Sequence, residues 1–82
     1  MSSDAPNSTE YFTLDARGLR CPLPVLMARR AFAKRGAKAV LLLTDDPASI
    51  IDVPHFCAES GLVLEAREEA PEGFRFRIAK SA

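Results

Sequence analysis

The sequence predicts an α+β domain: a two-layer sandwich in which two helices cover one face of a four-stranded mixed sheet, in the order β-α-β-α-β-β. Three observations lead there. Residues 11–15, 62–67 and 74–78 alternate apolar and polar side chains, the signature of half-buried strands, and 38–44 is an unbroken apolar run. Between these strands lie two helical segments, each opened by proline and closed by glycine. The last two strands are separated only by a short stretch containing Pro71 and Gly73, which reads as a hairpin.

Taken in order, residues 1–10 are rich in Ser, Asp, Asn and Pro and read as a disordered lead, leaving 11–80 for a single domain. Tyr11–Asp15 is the first strand, with Phe12 and Leu14 on one face, and Arg17-Gly18 turns the chain. Residues 22–35 form the first helix, ended by Gly36. Val25, Ala28 and Phe32 make its inward stripe, flanked by Leu26 and Ala33, while Met27, Arg30 and Lys34 face away as a docking surface. The run 38–44 is expected in the middle of the sheet. Asp45-Asp46-Pro47 starts the second helix, with Asp46 able to cap it and Pro47 suited to its first position. Pro54 cannot donate to Ile50, so a break near Asp52-Val53 and a restart at Pro54 are expected before Gly61 closes the helix. The final hairpin is read as 62–67 and 74–78 joined through 68–73, with Arg75 and Arg77 pointing outward.

Composition narrows the functional classes. The 82 residues carry 11 Lys+Arg and 11 Asp+Glu, a net charge of zero, and are 48% hydrophobic. No apolar run reaches the roughly 20 residues that span a bilayer, and the first ten residues lack the basic and apolar regions of a secretory leader. The expectation is a cytoplasmic monomer that touches no membrane. Neutrality argues against direct nucleic-acid binding, which needs a cationic excess. The neutral total conceals a segregation. Residues 15–38 hold seven bases and one acid, a net of +6, and the rest holds four bases and ten acids, a net of −6. Such a split fits a docking face or a solvated helix flank, and the residues alone leave both open.

Two cysteines, Cys21 and Cys57, and one histidine, His55, do not make a zinc set, so neither metal nor cofactor is expected. Cys57 lies between Phe56 and Ala58 on an apolar helix side and reads as a small core residue. His55 follows Pro54 and reads as a surface or partner-facing side chain rather than a general base. Cys21 stands apart. In Leu19-Arg20-Cys21-Pro22-Leu23-Pro24 it falls at or beside a helix N-cap, where unpaired N–H groups and the macrodipole favour an anion. Its thiol is expected to be acidified there, with Arg17 and Arg20 pushing the same way. Pro22 and Pro24 remove two donors and fix φ twice, leaving the Leu23 N–H available and the sulfur presented outward. With no CxxC partner and no His/Asp set, a dithiol cycle and a cysteine-protease mechanism are unsupported. Covalent carriage fits a lone activated thiol; a residue that merely marks a helix start is the other reading.

Leu14-Asp15-Ala16-Arg17-Gly18-Leu19-Arg20-Cys21-Pro22-Leu23-Pro24 resembles the signature of the TusA-like (SirA-like) sulfur-carrier family, and the likeness continues through Asp45-Asp46-Pro47-Ala48 and Asp52-Val53-Pro54-His55-Phe56-Cys57 to the hairpin. The resemblance implies the sandwich described above and a persulfide on Cys21, supplied by a cysteine desulfurase or rhodanese-like donor and passed to a downstream acceptor protein. Routes served in the family include thiolation of the tRNA wobble uridine, molybdenum-cofactor assembly and sulfur oxidation. By the same resemblance Arg20 and the helix N-terminus stabilise the persulfide anion, and Arg17, Gly18, Pro22, Leu23 and Pro24 support the motif. Gly18 is expected to allow a tight approach to Cys21. Asp45 and Asp46 match the family's acidic pair, with helix capping their more economical role. Relatives have also been discussed as regulators, so an alternative is a protein- or RNA-binding module acting through the basic helix 25–38.

Overall fold

Alternation drives the sheet. A computed structural model describes residues 11–81 and contains β1 (Phe12–Asp15), α1 (Leu23–Lys34), β2 (Ala39–Thr44), α2 (Ser49–Ser60), β3 (Leu62–Ala70) and β4 (Gly73–Lys80). The lead at 1–10 lies outside the described residues. The sheet order is β1-β2-β4-β3, with β1 parallel to β2 and both other pairings antiparallel. The predicted fold class and element order are those observed.

One face of the sheet carries Val40 and Leu42 from β2 and Phe76 and Ile78 from β4, all fully buried. Against them pack Ala28 and Ala31 of α1 and Val53, Phe56 and Cys57 of α2, with Ala16 from the loop after β1. Both helices therefore cover the same face. The alanines matter because only small side chains let α1 approach the sheet closely at close-packed density. The opposite face has no covering layer among the described residues. There Leu41 stands opposite Arg77 and Leu43 opposite Arg75, so arginine stems flank the half-buried leucines.

Three local expectations are corrected. The inward stripe of α1 is Pro24, Ala28 and Ala31, with Met27 packed against the core rather than facing away. The helix starts at Leu23, and residues 24, 27, 28 and 31 line one side at its 3.6-residue period. Val25 and Phe32, expected inward, are partly buried and pack against the core on the side of α2, while Leu26 is 44% exposed. Second, α2 does not break at Pro54 but runs unbroken from Ser49 to Ser60. Its first turn closes with short-range bonds from Ser49, Ile50 and Ile51 to the carbonyls three residues back, and the Asp52 N–H bonds to Ala48. Pro54 then deletes a single bond close to the helix start, which the packing of Val53 and Phe56 outweighs. Third, the hairpin is tighter than expected: Glu68, Glu69 and Ala70 continue β3 and pair with Arg75, Phe74 and Gly73, leaving only Pro71 and Glu72 in the turn. The apolar run of β2 lies inside the sheet as expected, fully covered on one face. The glycine stops hold: Gly36 and Gly61 take left-handed φ of +67° and +70° just past the two helices.

Candidate functional site around Cys21

The loop between β1 and α1 carries Cys21, and its shape is set from outside the loop. Gly18 adopts φ +86°, which favours glycine, and an added Cβ would meet nothing within 4 Å. The need for glycine is thus conformational, correcting the expectation of a tight approach. The Gly18 N–H donates to Asp45 Oδ1 at 2.9 Å, and the Cys21 N–H donates to Asp46 Oδ2 at 2.8 Å. The other oxygen of Asp46 accepts from the Ala48 N–H at 3.1 Å, so one carboxylate ties the cysteine loop to the start of α2. Those backbone bonds, from Cys21 first and Ala48 second, hold the Asp46 carboxyl below its usual range. The residue capping α2 is Ala48 by backbone position, with Asp46 acting two residues upstream.

Pro22 is the N-cap of α1 and Pro24 lies in its first turn, and the Cys21–Pro22 peptide is cis. Cys21 precedes the cap directly and is exposed. The Leu23 N–H is not free, as expected from sequence, but donates to the Arg20 carbonyl at 2.9 Å, closing a turn over the cysteine. The Leu23 side chain is 46% exposed beside it.

The arginines are not where an activated thiol would need them. Arg17 forks onto Asp15, with Nε and Nη2 each 2.9 Å from a carboxylate oxygen, and its own N–H adds a third bond to the same group. These hydrogen bonds lower the Asp15 carboxyl to about 2 and raise Arg17 above its ordinary value. Arg20 lines a cleft with Gly18, Asp45, Asp46 and Pro47, and its charge acts on Asp46.

On its other side the thiol faces a groove of about 190 Å³ between α1 and α2, lined by Pro22, Val25, Arg29, Asp52, Phe56 and His55. Asp52 lines the same groove. Its carboxylate as an acceptor for the thiol first, then desolvation and the negative charges of Asp52 and Asp46, push the thiol above its ordinary pKa. The expected acidification of Cys21 is therefore reversed in this resting arrangement. Sequence reasoning missed Asp52 as a neighbour of the sulfur. The available signal was helical spacing, since 52, 55, 56 and 59 share one side of a continuous α2, and the assumed break at Pro54 hid it.

The remaining residues fall into place around this centre. Cys57 is buried and its thiol is pushed up by desolvation. His55 is exposed and pairs with Glu59 at 3.2 Å one helical turn away. Arg30 and Lys34 are exposed on α1. Arg29 lies 5.8 Å over the Phe56 ring and Arg35 lies 5.0 Å over the Phe12 ring, cation–π contacts that hold part of the basic helix against the body of the protein. Among the described residues no group of three or more His, Cys, Asp or Glu side chains could hold a metal ion, and no helix is long and apolar enough to cross a membrane.

The described residues thus form a two-layer α+β domain with one exposed cysteine on an anchored loop at a helix start. The family model described as Sulfurtransferase TusA matches residues 12–80, and the chain belongs to that family. Membership carries a sulfur-carrier, sulfurtransferase-type role exercised in relay with partner proteins.

Proposed function

We propose that the chain carries sulfane sulfur as a persulfide on Cys21, accepting it from a cysteine desulfurase or rhodanese-like donor and giving it to an acceptor protein, in tRNA wobble-uridine thiolation or a related sulfur pathway of the cytoplasm. The observation that supports this reading best is the exposed sulfur on a loop whose backbone is fixed by Asp45 and Asp46. Cys57 is buried, so it offers no surface thiol to resolve a disulfide with Cys21. In the loading step the Cys21 sulfur attacks the outer sulfur of the donor persulfide; the new S–S bond forms as the donor's own S–S bond breaks and the donor leaves as a thiol. Discharge repeats the exchange, with an acceptor thiolate attacking the outer sulfur and Cys21 leaving. Leu23, Leu26, Arg30 and Lys34 flank the thiol along α1 as the docking surface; Met27 supports that helix from beneath.

Incubation with a cysteine desulfurase and cysteine adds the mass of one sulfur to the protein. Cys21→Ser abolishes the addition and Cys57→Ser retains it. Sulfur retained on Cys21→Ser removes Cys21 from the mechanism.

The exposed basic side chains of α1 support a second reading, a regulatory protein- or RNA-binding module. Reversing the charges of Arg30 and Lys34 distinguishes the two, because the module reading requires loss of function there with Cys21→Ser silent.

A further inference from the structure

Between α1 and α2 runs a single trough. The groove at Cys21 continues into a second hollow of about 230 Å³, because Arg29 and Phe56 line both. Val25, Phe56, Phe32 and Leu62 give it an apolar floor, and Lys80 closes it at the end away from the thiol. Along α1 the lining runs from Pro22 to Ala33, about 16 Å at roughly 1.5 Å per residue. Both walls are helices whose interior backbone groups bond within the helix, so an extended chain finds no ladder to join. Side chains must hold any occupant, and a helix achieves this by setting one ridge of its surface into the groove. About three turns match the length.

The walls differ in charge. Arg29 comes from α1, whereas Asp52 and Glu59 come from α2. Glu59 is held by His55, and Arg29 rests 5.8 Å over the Phe56 ring. Arg29 and Asp52 line the same hollow, yet among the described residues neither joins an ion pair within 4.0 Å. One wall thus offers a cation and the other an anion, each without a partner of opposite charge. That pattern selects an occupant with an acid on one flank and a base on the other.

We propose that the trough seats an amphipathic helix of a relay partner, about three turns long, with its apolar ridge over Val25, Phe56 and Phe32, an acid facing Arg29 and a base facing Asp52. The proposal deepens the carrier reading and rests on it for the identity of the occupant. Cys21 stands at one end of the seat, so the partner's sulfur lies just beyond the end of its helix.

The test titrates the isotope-labelled full chain, followed by NMR, with a synthetic helix of about 15 residues, stapled on its outward face because so short a helix is marginal alone. It carries leucine at i, i+4, i+7 and i+11, glutamate on one flank and lysine on the other. Two companions carry glutamate on both flanks or lysine on both. The mixed peptide moves the amide resonances of Val25, Arg29, Phe32 and Phe56 and leaves those of Glu72 and Gly73 in place. It binds about fivefold or more tighter than either companion, roughly the worth of one exposed ion pair. Arg29→Glu transfers the preference to the all-lysine peptide. Resonances that move elsewhere, equal binding of the three peptides, or a preference unchanged by Arg29→Glu overturns the proposal. The comparison of peptides uses the unaltered protein and so holds whether or not the variant folds. No sulfur donor enters the titration: failed persulfide loading with the peptide preference intact counts against the carrier reading alone, and failed peptide binding with Cys21 loading intact counts against the seat alone.

Discussion

Gly73 opens β4 with φ +142°, and a Cβ built there collides with the backbone carbonyl oxygen of Thr44 and crowds Asp45 to 3.1 Å. Gly73→Ala therefore meets two penalties. Holding a non-glycine residue in a sparsely populated backbone region costs about 1–3 kcal/mol, and forcing a methyl group against fixed neighbours costs about 1–3 kcal/mol more. The sum, roughly 2–6 kcal/mol, lowers Tm by at least about 8 °C, given roughly 4–8 °C per kcal/mol for a domain of this size. Gly36→Ala is the control. It also occupies a left-handed φ, +67°, but opens onto empty space, so only the backbone cost of about 1–2 kcal/mol applies. Thermal unfolding followed by circular dichroism measures both. A Gly73→Ala midpoint no lower than that of Gly36→Ala would refute the collision with β2. Because Thr44 leads directly into Asp45 and Asp46, the Gly73 variant is also expected to load sulfur more slowly at temperatures where it remains folded.

Three further outcomes follow from the site. Asp15 titrates at about 2 because Arg17 favours its charged form, so the pair stabilises the fold above the ordinary value of 3.8 and the contribution is lost as pH falls toward 2; Arg17→Ala moves the NMR-detected titration of Asp15 up toward 3.8, and an unmoved titration would show that Arg17 is not its cause. Asp46→Ala releases the Cys21 amide, whose hydrogen exchange rises relative to that of β2, whereas equal protection in both proteins would show that the bond is not maintained. The net +6 of residues 15–38 makes sulfur transfer fall with ionic strength, and a salt-independent rate removes charge from partner docking.

Periodicity carried the strands and the helix stops well, because alternation and left-handed glycines are local properties. Val40 and Leu42, or Phe76 and Ile78, can be assigned to the core without knowing what covers them. Pro54 misled because the cost of a missing N–H depends on position, and the tight first turn of α2 places it where one bond is lost. Met27 misled because the phase of a helix depends on its first residue, and the apolar side chains of α1 face two partners, the sheet and α2. Cys21 was legible as an exposed sulfur at a helix start, but its electrostatic surroundings were not. The helix dipole depends only on the chain around the cysteine, whereas Asp46 and Asp52, 25 and 31 positions downstream, add the negative charge that opposes it.

That separation bears on when the site comes into being. The whole motif from Leu14 to Pro24 lies in the first third of the chain, yet the bonds that fix its backbone come from the far end of β2 and the turn beyond it. Their formation closes a loop of some two dozen residues, which is postponed until β2 has docked beside β1 and α2 has begun to wind. A peptide ending at residue 38 would contain every residue of the motif and none of its anchors. The anchored thiol thus depends on residues well downstream of its motif, and a chain lacking them carries Cys21 on a loop without those two bonds.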